Sequence, residues 1–513
     1  PLAYGTYIVR ETTTPHNFKP VDDFKVVISE NNPDQPQVWR VLLDEEFEAK
    51  LKIVKKDDET KKSVLVPNTE FKVYDLDNKK YVEQVTTYPS TTVHKSYFTD
   101  ENGYLILPQS LPIGHYRVEE VTAPEGYTIN QNYVEVTVDS NTAYYQDDVS
   151  KDIIIEAVYE NHPVKGELTV VKKGEVLDGY KKDFTYKVQN LAGAVFAVYA
   201  AEDIYTADFQ KDSNGNRILE YAKDELVAEL TTSEDGTATL KNLPLGTYKV
   251  VEKTAPEGFV QNSEVQNVQF VYAGQDTPVV SQSVEFSNER QKVEISAVKK
   301  DAENEKLLAG AEFALYAKED IKAGDAVIVK ADTLLASAVT EENGKAVFEQ
   351  DLPFGTYYVK ETKAPAGFVS NGETIEATAS YQGQEVEVVR LEEVFKNQPT
   401  ITEFTKSDLT TSVELDGATL TVLDQDKKTV DTWTSVKGEP HVIKRLHVGE
   451  TYILREEFAP YGYLKAEEVE FTVVDTAEVQ KVEMKDDVPT GRIIINKKGE
   501  FIGEITWNDM MDG

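Results

Sequence analysis

Short stretches in which apolar and polar residues alternate occur along the whole chain. Examples are YVEVTV at 133–138 and VEISAV at 293–298. Alternation with a period of two puts every second side chain on one face, which is typical of a half-buried β-strand. Gly, Pro, Asn and Asp interrupt these stretches at short intervals, and long stretches with a helical period are missing. The pattern therefore predicts an all-β protein.

One phrase recurs and divides the chain into repeats. It reads GHYRVEEVTAPEGY at 114–127, GTYKVVEKTAPEGF at 246–259 and GTYYVKETKAPAGF at 355–368, with a looser copy, GETYILREEFAPYGY, at 449–463. In each copy a strand begins at Gly and ends at Ala-Pro-x-Gly-aromatic. Pro cannot donate a hydrogen bond to a β-ladder and Gly permits positive φ, so this ending predicts a turn.

Each copy has the same neighbours in the same order. A strand that ends in Lys comes first, followed by a phrase such as LAGAVFAVYA at 191–200, and a last strand with Asn or Asp near its end closes the series. This order predicts four complete repeats, at 47–163, 164–290, 291–398 and 399–489. Residues 1–46 look like the back half of a preceding repeat, and 490–513 look like the opening strand of a further one.

The order of these motifs resembles the B-type domain of collagen adhesins, which is also seen in SpaA-like pilins of Gram-positive bacteria. The resemblance covers nearly the whole chain. It implies tandem immunoglobulin-like (prealbumin-like) β-sandwich domains in an elongated rod. It also implies that each domain carries an isopeptide bond between the Lys of the first strand and the Asn or Asp of the last, formed with the help of a Glu.

Position by position, the resemblance implies four triads. They are Lys55, Glu120 and Asn161; Lys172, Glu252 and Asn288; Lys299, Glu361 and Asn397; and Lys406, Glu456 and Asp486. The fourth repeat has Asp in place of the commoner Asn, which is similar to the subgroup of the family that uses Asp. The second repeat departs from the pattern at Gly174, where an acidic residue is usual. The partial repeats offer incomplete sites, with Glu11 and Asp44 at one end and Lys497 at the other.

The chemistry of such a triad depends on protonation. A Lys attacks a carboxamide only as the neutral amine, and burial lowers the pKa of a Lys while it raises that of a carboxyl group. A neutral Lys beside a protonated Glu is therefore the consistent pair, with coupled titration. Because the reaction runs once per domain, we expect no enzyme beyond this single-turnover cross-linking.

Composition narrows the remaining function classes. The 513 residues include no Cys, which excludes disulfides, a thiolate nucleophile and a zinc site built on Cys. The net charge of −37 argues against nucleic acid or an anionic membrane as a partner. No apolar run approaches the ~18 residues of a membrane span. We expect no metal and no cofactor.

The resemblance and the composition together predict a structural stalk. We expect a monomeric rod on the bacterial cell surface, extracellular and anchored to the cell wall, as part of an adhesin or pilus-like protein. A host matrix protein or glycan would be bound by another region. Two alternatives stay open: a ligand-binding adhesin domain, and a polymerising pilin subunit, for which the chain shows no L-P-x-T-G signal.

Two long loops, at 201–225 and 317–333, share a phrase of the form A-x-E-D-I. They are consistent with ligand-binding surfaces or with short helical insertions that pack on the sandwich. The second interpretation is the one we expect.

Overall fold

The computed structural model describes residues 2–30 and 43–495. Within these ranges the regular secondary structure consists of β-strands alone, which confirms the all-β prediction. The residues fall into two compact units. The first contains the described residues up to Val176 together with Lys187–Arg290 and Gly383–Val386, and the second contains Leu177–Tyr186, Gln291–Gln382 and the described residues from Glu387 onward.

Residues 2–30 contain a two-stranded antiparallel sheet. Its strands are β1 (Gly5–Val9) and β2 (Phe24–Ile28).

The first complete repeat is a sandwich of two sheets. Its strands are β3 (Glu48–Asp57), β4 (Glu70–Asp75), β5 (Lys80–Tyr81), β6 (Gln84–Thr86), β7 (Thr92–His94), β8 (Tyr97–Phe98), β9 (Tyr104–Ile106), β10 (Leu111–Pro112), β11 (Gly114–Thr122), β12 (Val134–Val138), β13 (Tyr145–Gln146) and β14 (Ile153–Asn161). One sheet has the order β10-β3-β14-β13 and the other β12-β11-β4-β5. Alternate residues of both sheets, such as Ile53 and Val118, form the core between them.

The second repeat has the same two sheets. Its strands are β15 (Lys165–Tyr180), β16 (Phe184–Asn190), β17 (Val195–Ala200), β18 (Ile204–Tyr205), β19 (Leu219–Tyr221), β20 (Leu226–Thr231), β21 (Thr237–Leu243), β22 (Gly246–Thr254), β23 (Val265–Phe270) and β24 (Val279–Asn288). The order is β16-β15-β21 in one sheet, with β24 also paired to β15, and β20-β17-β22-β23 in the other.

The third and fourth repeats share this topology, with sheets β30-β25-β33 and β29-β26-β31-β32 in the third, and β37-β34-β40 and β36-β35-β38-β39 in the fourth. The third repeat contains β25 (Lys292–Asp301), β26 (Glu312–Ala317), β27 (Ile321–Ala323), β28 (Ala326–Val329), β29 (Leu334–Val339), β30 (Lys345–Val347), β31 (Gly355–Lys363), β32 (Thr374–Ala379) and β33 (Val388–Asn397). The fourth contains β34 (Ile401–Asp408), β35 (Thr419–Leu423), β36 (Thr429–Thr434), β37 (His441–Lys444), β38 (Thr451–Phe458), β39 (Val469–Thr472) and β40 (Gln480–Asp486).

The expectation of helical insertions at 201–225 and 317–333 is wrong. Both segments form short antiparallel hairpins, β18–β19 and β27–β28. Ile204 and Ile321 open these hairpins and belong to the cores of their repeats. β-Branched residues favour strands, and one or two buried residues, such as Ile204 or the pair Ile321 and Val329, anchor a hairpin without the wide apolar stripe that a packed helix needs.

The unusual length of β15 follows from Gly174. In the other repeats the equivalent Asp ends the strand by accepting hydrogen bonds from the next turn; Asp57 Oδ1 accepts from the backbone N–H groups of Glu59 and Thr60, both at 2.8 Å. Gly174 has no side chain to make such a turn, so the strand continues to Tyr180. The tip of the resulting hairpin belongs to the second compact unit, where Phe184 packs into the core of the third repeat.

Candidate functional site

In every complete repeat, the predicted Lys and its acceptor lie on neighbouring parallel strands of one sheet. We call these the Lys strand (β3, β15, β25 and β34) and the last strand (β14, β24, β33 and β40). In the first repeat Lys55 is paired with Tyr159, and Asn161 is paired with Asp57, two residues beyond the Lys. The other three repeats have the same register. Because side chains alternate along a strand, an offset of two keeps the Lys and its acceptor on the same, inward face.

The Glu comes from the opposite sheet, on the Glu strand (β11, β22, β31 and β38). In each repeat the register shifts directly after this Glu, for example between Glu120 and Thr122. The Glu itself is paired with a buried apolar residue, such as Phe71 or Phe313, and therefore points into the core. A β-bulge of this kind changes the direction of the strand next to a functional side chain.

In the first repeat, Lys55 Nζ lies 2.6 Å from Glu120 Oε1. The amide of Asn161 donates to Glu120 Oε2 at 2.8 Å and to the carbonyl of Thr128 at 2.6 Å. Among the described residues, Asn161 Oδ1 has no hydrogen-bond partner although it is buried. Glu120 therefore lies between the amine and the amide and contacts both.

In the second and third repeats, the amine also contacts the acceptor directly. Lys172 Nζ donates to Asn288 Oδ1 and lies 3.0 Å from Glu252 Oε1. Lys299 Nζ donates to Asn397 Oδ1 and lies 2.8 Å from Glu361 Oε1. In both repeats the Asn Nδ2 donates to the two carboxyl oxygens of the Glu, at 2.9 and 3.1 Å.

The fourth repeat places two carboxyl groups beside one amine. Lys406 Nζ contacts Asp486 Oδ1 and lies 3.0 Å from Glu456 Oε1. All three side chains are fully buried. Asp486 Oδ2 makes no hydrogen bond to any residue that the structure describes.

Burial shifts the pKa of four of these groups in the direction of the neutral form. It lowers the pKa of Lys55 to about 8, against an opposing effect of Glu120. It also lowers the pKa of Lys172 and of Lys299. In the fourth repeat burial raises the pKa of Asp486, although Lys406 opposes it. Aromatic rings contribute to the apolar surroundings; the ring centroid of Tyr159 lies 4.7 Å from Lys55 Nζ. These shifts favour the neutral amine and, in the fourth repeat, the neutral acid.

Of the three residues predicted for incomplete sites, the structure describes Glu11 and Asp44. Glu11 Oε2 accepts a hydrogen bond from the backbone N–H of Val21, ten residues later, at 2.8 Å. Asn130 makes the same contact with Glu120. Asp44 is exposed and lies two residues before Glu46, which forms an isolated β-bridge with Phe18. In the first complete repeat, Pro163 forms the equivalent bridge with Tyr127 and lies two residues after Asn161. Asp44 thus has the register of Asn161, whereas Lys497 lies outside the described residues.

The sequence did not predict the residues that surround the triads. The hydrogen-bond partner of the Asp two residues after the Lys depends on the aromatic residue of the Ala-Pro-x-Gly turn. Asp57 Oδ2 accepts a hydrogen bond from Tyr127 at 2.8 Å. In the third repeat this aromatic residue is Phe368, and Asp301 instead accepts from Arg445 of the fourth repeat at 2.8 Å. The exchange of Tyr for Phe was the available signal, since a buried Asp must then find another donor.

The sequence analysis also did not identify three Asn residues near the triads. Asn130, Asn262 and Asn371 each follow the Gly-aromatic pair by three positions and contact the last strand. The recurrence of Asn at the same spacing in three repeats was a visible signal.

Neither a metal-binding cluster nor a membrane-spanning helix is present among the described residues. In 2–30 and 43–495, no group of three or more His, Cys, Asp or Glu side chains is arranged to hold a metal ion. Over the same ranges there is no helix with the length and apolar character needed to cross a membrane.

Comparison with solved structures finds similarities that include the following three. The chain is similar to the TIE protein of Bacillus anthracis, with 22% identity and a TM-score of 0.45 over 82% of this chain and 68% of the other. It is similar to BcpA, the major pilin subunit of Bacillus cereus, with 16% identity and a TM-score of 0.27 over 69% and 100%. It is also similar to the pilus adhesin SpaC from Lactobacillus rhamnosus GG, with 12% identity and a TM-score of 0.28 over 83% and 57%.

Sequence comparison identifies a family. No curated protein sequence matches the chain. The family of SpaA prealbumin-like fold domains matches four ranges, 49–152, 177–284, 293–392 and 400–488, each of which falls inside one of the four complete repeats. Together these ranges cover well over half of the 513 residues. The chain therefore belongs to the SpaA family of prealbumin-like fold domains.

Proposed function

We propose that this chain is a structural stalk of a bacterial cell-surface adhesin or pilus-like protein, and that self-formed isopeptide bonds stabilise its four complete repeats. The observation that carries the proposal is the buried triad, which recurs four times with the Lys amine in contact with its Glu, its acceptor or both. Membership of the SpaA family supports a surface structural role. Host matrix proteins or glycans would be bound by another region of the surface protein.

In the repeats with an Asn acceptor, the reaction is a transamidation. The lone pair of Lys172 Nζ attacks Cγ of Asn288, and the amine gives up a proton through the carboxyl group of Glu252, which contacts both partners. The C–N bond to Nδ2 breaks, Nδ2 takes up the proton, and ammonia leaves. The fold supplies proximity and orientation, which can lower such a barrier by roughly 7–11 kcal/mol.

In the fourth repeat the reaction is a condensation. Lys406 Nζ attacks Cγ of Asp486, whose raised pKa favours the neutral, electrophilic acid. One carboxyl oxygen leaves as water after it receives a proton by way of Glu456, which lies 3.0 Å from the amine. Neither reaction regenerates the starting side chains, so each site reacts once and has no turnover.

The position of the bonds suits a stalk under tension. The bond would join the Lys strand directly to the last strand, and all the strands between them would lie inside a closed loop. The reacting pairs are 116, 98 and 80 positions apart in the second, third and fourth repeats. By analogy with disulfides, closing a ~100-residue loop contributes about 4–5 kcal/mol to stability.

Single-molecule stretching from the two ends of the chain tests this role. A bonded second repeat adds almost no length when it unfolds, because its 116-residue loop stays closed. The Glu252→Ala variant has no bond, and its second repeat should lengthen by roughly 400 Å at about 3.5 Å per residue. A wild-type chain that lengthens fully at every repeat would rule out the stapled stalk.

A further inference from the structure

The position ten residues after the Glu varies with the acceptor. It is Asn130, Asn262 or Asn371 in the three repeats with an Asn acceptor. It is Ala466 in the fourth repeat, whose acceptor is Asp486, and Val21 in the partial repeat that offers Asp44. An amide therefore accompanies an amide acceptor, and an apolar residue accompanies a carboxyl acceptor.

The backbone of this position does the same in both classes. Its N–H donates to Oε2 of the Glu at 3.0 Å from Asn130, 2.7 Å from Asn262 and 2.7 Å from Ala466. Val21 makes the same contact with Glu11 at 2.8 Å. Orientation of the Glu therefore does not require the Asn side chain.

The side chain of the Asn makes a different contact, to the last strand. Its Nδ2 donates to the carbonyl of the residue just before the acceptor, which is Glu160 at 2.8 Å, Ser287 at 2.9 Å and Lys396 at 3.0 Å. Its Oδ1 accepts from the backbone N–H two residues later, at 3.0, 2.8 and 3.1 Å. We call this pair of contacts the Asn clamp. It ties the loop that holds the Glu to the backbone of the acceptor, and Ala466 has no side chain with which to make it.

The chemistry of the acceptor explains the difference. Either oxygen of a carboxyl group can carry the proton, so a rotated group still presents Cγ to the amine in the same way. An amide has one acceptor atom and one donor group, and only one orientation places Oδ1 toward the Lys and Nδ2 toward the Glu. In the second repeat Lys172 contacts Oδ1 and Glu252 accepts from Nδ2. A fixed backbone at the acceptor holds that orientation.

We propose that Asn130, Asn262 and Asn371 are positioning residues that adapt their sites to an amide acceptor, and that a carboxyl acceptor does not need them. This inference rests on the proposed isopeptide chemistry. It predicts that the clamp changes the rate of bond formation only where the acceptor is Asn.

The test follows bond formation in the whole chain made by cell-free synthesis, with samples denatured and digested at intervals and the linked peptides measured by mass spectrometry. Asn262→Ala should slow the Lys172–Asn288 bond by about tenfold or more, the size expected for lost orientation. The Lys299–Asn397 bond in the same molecules serves as the internal control and should keep its rate.

A second background separates positioning from folding. When Asn288→Asp is present, adding Asn262→Ala should change the rate of the Lys172–Asp bond by less than about twofold. The reciprocal pair is in the fourth repeat, where Asp486→Asn should react slowly and the added Ala466→Asn should accelerate it.

Each remaining outcome counts against the inference. Equal slowing in the Asn288 and Asn288→Asp backgrounds would show a merely structural role, and unchanged kinetics in Asn262→Ala would show no role. An Asn288→Asp chain that never forms the bond would also overturn it. A wild-type chain without the Lys172–Asn288 bond would overturn the proposed function itself, which distinguishes the two failures.

Discussion

The third and fourth repeats use the same framework for two different acceptors. In the third, the side chain of Asn397 makes a hydrogen bond to each of its partners: Oδ1 accepts from Lys299 and Nδ2 donates to Glu361. In the fourth, Asp486 has no donor group while it is ionised, and two carboxyl groups share a single buried amine. The pairing of the Lys strand with the last strand, its register and the bulge after the Glu are the same in both repeats.

The difference lies in the number of protons that the reactive state requires. In the third repeat, moving one proton from Lys299 to Glu361 turns the ion pair into a neutral amine and a neutral acid. In the fourth, the same transfer leaves one carboxylate, and an additional proton is needed to make Asp486 electrophilic. Burial of Asp486 raises its pKa and so makes that extra proton easier to bind. The framework therefore supplies proximity in both repeats, while the acceptor determines the proton requirement.

The largest effect should come from removing a Glu. Glu361→Ala and Glu456→Ala should each abolish the bond of their own repeat, because the proton carrier is lost and a buried Lys loses an ionic partner. We expect each repeat to lose about 4–5 kcal/mol from loop closure alone. Peptide mass spectrometry and calorimetric melting of the whole chain measure the two consequences.

Glu376→Ala is the matched control, since Glu376 is exposed and pairs with Lys318 at the surface. It should leave every bond in place and cost at most about 1 kcal/mol. Complete bond formation in both Glu361→Ala and Glu456→Ala would show that neither repeat needs its Glu to carry the proton, which would contradict the proton requirement described above.

A smaller effect should come from pH. The folded-state pKa of Asp486 is raised, so the reactive, protonated acid is lost as pH rises through that pKa. Formation of the Lys406–Asp486 bond should therefore slow as pH rises, by up to about tenfold per pH unit above that raised pKa. The Lys299–Asn397 bond needs no net proton uptake and should change much less. Time courses of both linked peptides from the same sample provide the measurement, and parallel slowing of the two bonds would contradict this account of the acceptors.

The smallest effect should come from the apolar residue opposite the Glu. It is Phe313 in the third repeat, whose ring centroid lies 5.8 Å from Lys299 Nζ, and Leu420 in the fourth. Phe313→Leu should destabilise the third repeat by about 1 kcal/mol through lost packing and change the bonding rate by less than about threefold. Loss of the bond in this variant, with the repeat still folded by circular dichroism, would show that the aromatic ring itself is required.

Much of the fold followed from local pattern. Alternation predicted half-buried strands and an all-β fold, and the structure contains them. The resemblance to SpaA-like domains is confirmed by family membership. The hairpins at 204–221 and 321–329 were mistaken for helical insertions, because a short acidic phrase with one apolar anchor gives no clear period. The triads stay predictions as bonded sites, although the register places each Lys beside its acceptor or its Glu.

Contacts that depend on tertiary structure were beyond the sequence. The Arg445–Asp301 pair joins residues 144 positions apart, on two different repeats. The Asn clamp joins a loop to a strand whose register is fixed only in the folded sandwich. Sequence recurrence marks such residues, but the partner of each is set by packing between the sheets.

The most direct test of the central claim is the intact mass of the denatured wild-type chain. Each Lys–Asn bond removes an ammonia of about 17 Da and the Lys–Asp bond removes a water of about 18 Da, so four bonds lower the mass by about 69 Da. We predict that deficit, with linked peptides that map to the four triads. A mass equal to that of the unmodified sequence would contradict the account and leave an array of unstapled β-sandwiches.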